Sequence, residues 1–490
     1  DQSISMRPPL RIAIAGVGTV GGGVAQILHT HRALLAQRCG RALQLVAVAD
    51  QRPIEALSNE INGHDDVVHF SDAVEMAEQY DGADVVVETI GGYGVARKVA
   101  SGALGRGVSL ITANKALLAL HGRELATAAE ANGASIGWEA AVGGGIPCIR
   151  TLREGCAANR VSYMAGILNG TCNFILSTMK ETGRGFDDVL AEAQALGYAE
   201  TPPDLDVDGV DTAHKLALVA AVASGALPSY GGVHVEGIRS IAGDDVALAD
   251  ELGFSIKLLG IASRVEPFEA TETFATQPFR PCVREVNELG ETLPVGHRAG
   301  GALEARQRSI GAVRPPPVVL QRVHPALVPK DAALGATHGV LNGLFTLGDF
   351  VGPVFSQGRG AGRDATASAC VADLMDLARG NTVATFGAPV AELSDMVCVG
   401  MDQRVGRYYL RVNGKDALER MQKALAAADI SVGHSSKSLR QVQNTHDYAE
   451  RAPGNPVAVI TGITLEGKLR MAVLGPLGND VTMFRVEGPW

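Results

Sequence analysis

The sequence predicts an α/β chain: a doubly wound parallel sheet comes first, an α+β unit follows, and a small ferredoxin-like unit closes the chain. Three observations carry this reading. Strand-like and helix-like stretches alternate through the first part of the chain, as they do where helical crossovers join parallel strands. Glycine is abundant, with 59 residues among 490, and aromatic residues are only 4%, which suits tight turns and close backbone approaches. Residues 407–490 read as strand, helix, strand, strand, helix, strand.

Taken in order, residues 11–15 form a short strand that runs into Gly16-Val17-Gly18-Thr19-Val20-Gly21. A helix is expected from there to about Gln37, then a strand over residues 43–49 that ends at Asp50. Further strands are expected at 84–88, 108–112 and 134–138. Residues 7–142 are therefore expected to be the dinucleotide-binding domain, with 1–6 an expression remnant or alternative start. From Gly143 the pattern changes. A strand at 161–167 and helices near 172–180, 187–196 and 208–223 suggest a substrate-binding and dimerisation domain over 143–354. Within it, residues 266–321 are rich in Pro, Arg and Gly and read as an inserted segment. Residues 355–382 return to a glycine turn and a helix that rejoin the first domain. Residues 383–406 read as a linker.

The bulk numbers exclude several classes. The net charge of −10 leaves no basic surplus to neutralise phosphates, so no nucleic-acid partner is expected. The longest apolar run, 216–223, is too short to cross a bilayer, so no membrane partner is expected. Seven cysteines without a C-x-x-C pair suit free thiols in a reducing cytoplasm.

Gly16, Gly18 and Gly21 match G-x-G-x-x-G, a weak signal alone in so glycine-rich a chain. Its place between a strand and a helix makes it a Rossmann-type fingerprint. There the first glycine permits the tight turn, the second lets a pyrophosphate approach, and the third lets helix pack on strand. The turn Gly16, Val17, Gly18, Thr19, Val20 and Gly21 is thus the candidate cofactor cradle, with the helix N-terminus facing the phosphates. Asp50 stands where a carboxylate bonds the adenosine ribose and favours NAD. Arg52 could instead meet the 2′-phosphate of NADP, or both could be solvated loop charges.

Several longer motifs resemble homoserine dehydrogenases. They are Val86-Val87-Glu88-Thr89-Ile90-Gly91-Gly92, Thr112-Ala113-Asn114-Lys115 and Glu139-Ala140-Ala141-Val142-Gly143-Gly144-Gly145-Ile146-Pro147. Gly166-Ile167-Leu168-Asn169-Gly170-Thr171-Cys172-Asn173-Phe174, Leu196-Gly197-Tyr198-Ala199-Glu200, Asp206 through Leu216, and Gly358-Arg359-Gly360-Ala361-Gly362 complete the series. The resemblance implies NAD(P)-dependent interconversion of L-aspartate 4-semialdehyde and L-homoserine. Such chemistry needs groups that hold the carbonyl, stabilise negative charge and relay a proton. Lys215 is the candidate proton donor, with Lys115 beside nicotinamide and substrate as its partner; the reverse assignment stays open. Asp211 and Lys215 share a helical face by their spacing.

Glu200 and Asp211 are expected at the substrate ammonium, and Asp206 behind them as an orienting group. Thr201-Pro202-Pro203 departs from the family, where an acidic residue before the proline is common. Thr89 and Gly362 resemble residues that close on the cofactor. Glu139, Val142, Gly144 and Ile146 resemble a monovalent-cation site, for an ion such as Na+, although the glycines could simply form a domain-crossing turn. Residues 407–490 occupy the place of an ACT domain, the amino-acid-sensing module of many family members. Gly414-Lys415-Asp416-Ala417 departs from the usual glycine pattern at its first strand–helix junction. The lone histidines His214 and His324 read as structural. The expected partner is a small-molecule substrate, within a homodimer or homotetramer. The alternatives are a non-catalytic amino-acid-binding regulator and another small amino-acid or oxo-acid dehydrogenase on the same fold.

Overall fold

The computed structural model describes residues 7–64, 66–265, 316–413, 415–435, 456–474, 477 and 481–488. Its first sheet holds β1 (Arg7–Ala15), β2 (Arg41–Ala49), β3 (Val68–Phe70), β4 (Val85–Glu88), β5 (Ser109–Thr112) and β6 (Ile136–Gly137). They run parallel in the order β3-β2-β1-β4-β5-β6. This is the doubly wound sheet that the sequence predicts. The winding reverses between β1 and β4, which align Ala15 with Glu88, and ligands bind outside the carboxyl ends of strands at such a point.

The crossovers are α1 (Thr19–Thr30), α2 (Arg32–Cys39), α3 (Ala73–Gln79), α4 (Gly94–Gly105) and α5 (Lys115–Ala131). Some boundaries differ from expectation. The first helix does not continue to Gln37; it breaks at His31, which caps the end of α1 and the start of α2. The strand expected at 134–138 keeps only two residues, and β3 was not anticipated, being only three residues long. Short edge strands take their order from a neighbour rather than from a local pattern.

The second unit contributes β7 (Val161–Ile167), β8 (Val233–Val235), β9 (Phe254–Arg264), β10 (Val318–Pro329), β11 (Leu341–Gly348), β12 (Gly352–Arg359) and β13 (Val397–Cys398). Its helices are α6 (Cys148–Arg150), α7 (Gly170–Thr182), α8 (Phe186–Ala195), α9 (Asp204–Val207), α10 (Val210–Ser224), α11 (Gly243–Glu251) and the returning α12 (Arg363–Arg379). The helix expected over 208–223 begins later, because Gly209 adopts a left-handed conformation (φ +84°) and separates α9 from α10. Residues 266–315 of the expected insertion lie outside the described residues, and its end at Gln321 is corrected: Val318 to Gln321 belong to β10, paired to β9.

The last elements are β14 (Val405–Asn413), α13 (Lys415–Ala427), β15 (Val432–Ser435), β16 (Pro456–Thr461), β17 (Thr464–Leu465), a short helix at Glu466–Leu469, and β18 (Val481–Val486). The order β18-β14-β16-β15 is ferredoxin-like. It is not a separate sheet. β18 runs parallel beside β10, with Ala326 opposite Arg485 and Leu327 opposite Val486, so one twelve-stranded sheet spans both units.

Buried and part-buried ion pairs accompany that seam. Glu487 receives Arg322 and Arg404, Glu466 and Glu236 receive Arg485, and Asp245 receives Arg411. Residues 383–406 lie against the body: Trp138 donates its indole N–H to the Thr385 carbonyl (2.8 Å), and Val397 and Cys398 pair with Val318 and Val319. Among the described residues no helix is long and apolar enough to cross a membrane.

Candidate active site

At the switch point the glycine turn has the geometry its sequence requires. Gly16 has φ +90° and sits against Thr89 and Ile90; a Cβ on Gly21 would lie 2.1 Å from the Gly16 carbonyl oxygen. Gly21 must therefore stay bare for α1 to reach the turn. Beside Gly18, the residue that precedes α1, the space is open. The helix thus presents its first N–H groups toward open space. The Thr89 hydroxyl donates to the Gly16 carbonyl at 2.7 Å and ties the end of β4 to this turn.

Asp50 and Arg52 hold one another. The Asp50 carboxylate accepts the Val17 and Arg52 backbone amides and the Arg52 side chain, each at 3.0 Å. Arg52 also reaches Glu60 and the Val17 carbonyl. The Arg52 hydrogen bonds hold the Asp50 carboxyl below its ordinary range. Asp50 and Arg52 thus form an ion pair just after β2, with the Arg52 side chain 43% exposed.

The next strand end is ordered by a residue that the sequence reading did not single out. Buried Glu88 accepts the Ile90 and Gly91 amides and the Thr112 hydroxyl, the last at 2.6 Å, and burial raises its carboxyl pKa. Asn114 then caps α5 by accepting the Leu117 amide at 3.0 Å. This places Lys115 on the first helical residue, just beyond β5.

Lys115 meets the second unit there. Its Nζ lies 3.2 Å from one Asp211 oxygen, while Lys215 Nζ lies 2.7 Å from the other. Lys215 also donates to the Leu168 carbonyl at 2.8 Å, so two of its three N–H donors are used within the chain. The Lys115 side chain is 40% exposed and that of Lys215 only 12%; Lys115 stands at the mouth of the site and Lys215 deep in it. Asn169 donates to Asp206 at 2.7 Å and to Asp211 at 3.0 Å.

The electrostatics follow from this packing. Burial pushes the Asp211 carboxyl up, but the two lysines outweigh it and hold the pKa well below the usual range. Asp211 raises the pKa of Lys115, with Glu200 and Asp206 adding to the effect. Burial raises Asp206. Asp211, expected at the substrate ammonium, has three partners within the chain, Lys115, Lys215 and Asn169. Glu200 lies on an exposed turn whose carbonyl accepts from Gln194 (3.2 Å). His214 stacks on Tyr230 at 4.5 Å, and His324 is fully buried against the Pro325 carbonyl.

The glycine-rich turn after Glu139 presses on the returning segment. A Cβ on Gly144 would lie 2.6 Å from the Gly360 carbonyl oxygen, and the Gly145 amide donates to Arg359 at 3.1 Å. Glu139 accepts the Ile149 and Arg150 amides at 2.8 and 2.9 Å, and burial raises its pKa to about 7. The Ile146 carbonyl accepts from Cys148. Gly362 precedes α12, which packs on α1: a Cβ on Gly23 would lie 2.9 Å from that of Ala367.

A dehydrogenase must hold a dinucleotide at one end of its site and handle a proton at the other. A glycine turn at the switch point of a doubly wound sheet, with a lysine pair on one carboxylate beyond the strand ends, is the arrangement of a nicotinamide-dependent oxidoreductase. Comparison with known families specifies it further. Residues 16–139 match the homoserine dehydrogenase NAD-binding domain, and residues 147–375 match the homoserine dehydrogenase family model.

The chain is 35% identical to a homoserine dehydrogenase of Pseudomonas aeruginosa, over 98% of this chain and 99% of that one. It is 33% identical to one of Neisseria gonorrhoeae, over 98% and 99%. A crystal structure of a Thiobacillus denitrificans homoserine dehydrogenase matches with a TM-score of 0.79 and 32% identity, covering 98% of each chain. The chain belongs to the homoserine dehydrogenase family.

Proposed function

We propose that the two lysines and their shared carboxylate are the reaction centre for NAD(P)-dependent interconversion of L-aspartate 4-semialdehyde and L-homoserine. A bound nicotinamide supplies or accepts the hydride. Lys215, fixed by Leu168 and Asp211, gives the proton to the nascent alkoxide, and Lys115 contributes positive charge at the same oxygen. Asp211 orients both lysines. Glu200 and Asp211 meet the substrate ammonium by charge-assisted hydrogen bonds, with Asp206 behind them as an orienting group. Gly16 to Gly21, Thr89 and Gly362 cradle the dinucleotide, while Asp50 and Arg52 choose between NAD and NADP.

The single observation that carries this reading is the bridging of Lys115 and Lys215 by Asp211. The test is nicotinamide absorbance with homoserine and each cofactor in turn. Absence of turnover with both would overturn it.

The remaining parts of the proposal follow the same chain of reasoning. Residues 7–142 with 355–382 bind nucleotide, 143–354 bind substrate, and 407–490 form an ACT-type unit. A monovalent cation such as Na+ fits the oxygen donors of Glu139, Val142, Gly144 and Ile146. An ion there would favour the ionised Glu139 carboxylate, and a higher melting temperature in Na+ than in choline is its test. A homodimer or homotetramer is supported by the edge position of β12, beside the 88% exposed Phe350, and light scattering measures it. The described cysteines are free, which suits the cytoplasm.

A further inference from the structure

We propose that Asn169 is the positioning residue of this site: its amide group holds Asp206 and Asp211 in register, so that Asp211 keeps one oxygen for each lysine. The proposal rests on the reading of Lys115, Asp211 and Lys215 as the reaction centre.

Asn169 follows β7 and is the residue before α7, with its backbone extended. Its Oδ1 accepts the Cys172 amide at 2.8 Å and so caps the helix. That bond sets which way the amide faces. Nδ2 is turned to the other side, and its two hydrogens reach Asp206 Oδ1 and Asp211 Oδ2. The reverse orientation would set a carbonyl oxygen against two carboxylates and an NH2 group against a backbone N–H. The partners therefore admit one orientation only. Asn169 is 5% exposed, so water does not compete freely for these bonds.

Asn169 is the donor that Asp206 and Asp211 share. Among the described residues no other side chain donates a hydrogen bond to the Asp206 carboxylate. Two carboxylates in one buried site repel one another, and without a shared donor one of them moves away or takes a proton. If Asp211 turns, both lysines lose their common anion. The charged and titratable groups around Asn169 are Asp206 on α9, Asp211, His214 and Lys215 on α10, Lys115 on α5, Glu200 and Cys172.

Capping and bridging are separable by substitution. Serine and aspartate both cap helices well, but neither supplies an NH2 group. In the full-length chain, Asn169→Ser should melt close to the parent and bind cofactor with unchanged Kd. Its kcat should fall about 100-fold, the scale of a misplacement of ~1 Å at a reacting group. The acid limb of its kcat/KM profile should move to higher pH, because a carboxylate without its donor protonates sooner. Asn169→Asp keeps the size and the cap while adding a third acid, and should fall further.

A folded Asn169→Ser or Asn169→Asp with parental kcat and an unmoved acid limb would show that Asn169 only caps α7. Lys215→Ala is assayed in parallel. Parental turnover there overturns the reaction centre itself, and loss of turnover there with parental Asn169 variants overturns this proposal alone.

Discussion

Lys115 and Lys215 share one carboxylate although they belong to different units. Lys115 opens the crossover helix after β5, and Lys215 lies on α10; Asp211 gives each of them one oxygen, at 3.2 and 2.7 Å. The contact ties the first sheet's crossover helix to the second unit. Asp211→Asn should therefore lower kcat by ~100-fold or more, the scale of a lost proton-handling group, with cofactor Kd unchanged. A variant with near-parental kcat would detach Asp211 from the chemistry.

The two lysines are expected to differ. Lys215→Ala should remove most turnover, by ~100-fold or more, while cofactor still binds. Lys115→Ala should also lower kcat, and its exposed position predicts partial rescue by a small added amine, whereas the deeper Lys215 site should not be rescued. Rescue in the opposite order would exchange their roles.

Glu200→Gln should raise the KM for homoserine by ~10-fold to ~100-fold, the range of one charge-assisted hydrogen bond, and leave cofactor affinity alone. A steady-state titration decides it: an unchanged KM makes Glu200 part of the turn only.

The seam between β10 and β18 predicts an acid-labile fold. Burial pushes Glu487 up, but Arg322 and Arg404 hold it down at about 2. An unfolded glutamate titrates near ~4.3. Because the folded pKa is depressed, this stabilisation is complete above the unfolded value and is lost as pH falls from there toward about 2. Melting curves across that window should show the loss. Glu487→Gln should flatten it, and at neutral pH should cost about 3–5 kcal/mol by leaving buried guanidiniums without an anion. A neutral-pH melting temperature equal to the parent's would refute the assignment.

Threonine is expected to inhibit weakly or not at all. An end product inhibits only where its occupancy favours a less active state, and the strand–helix junction after Asn413 lacks the usual glycine pattern of an amino-acid-sensing module. Gly414 itself lies outside the described residues. Threonine titration of the full chain is the measurement, and strong inhibition would defeat the expectation. A chain ending near Val405 should not behave as a deregulated enzyme: it lacks β18 and Glu487, so β10 loses its neighbour and Arg322 its anion. Reduced solubility and a lower melting temperature are expected of it.

Local pattern alone determined much of this protein. The strand–glycine turn–helix order fixes the tight turn at Gly16 to Gly21, because a βα junction of that composition has few other conformations. The spacing of Asp211 and Lys215 places them together, because a helix brings residues four apart onto one face. The order of the last elements predicts their ferredoxin-like topology. The break at His31 and the strand β3 were not legible, since both depend on neighbours rather than on their own short sequences.

Only the tertiary structure decided that Lys115 joins Asp211, that Asn169 bridges two acids, and that β18 extends the sheet of β10. Asn169 carried one local signal, an asparagine at a helix start, and that signal speaks for a cap and says nothing of Asp206. Helix periodicity and turn stereochemistry act over a few residues and can be read along the chain. The meeting of side chains from separate elements is set by how sheets and helices pack, and it leaves no mark in the spacing of the residues concerned.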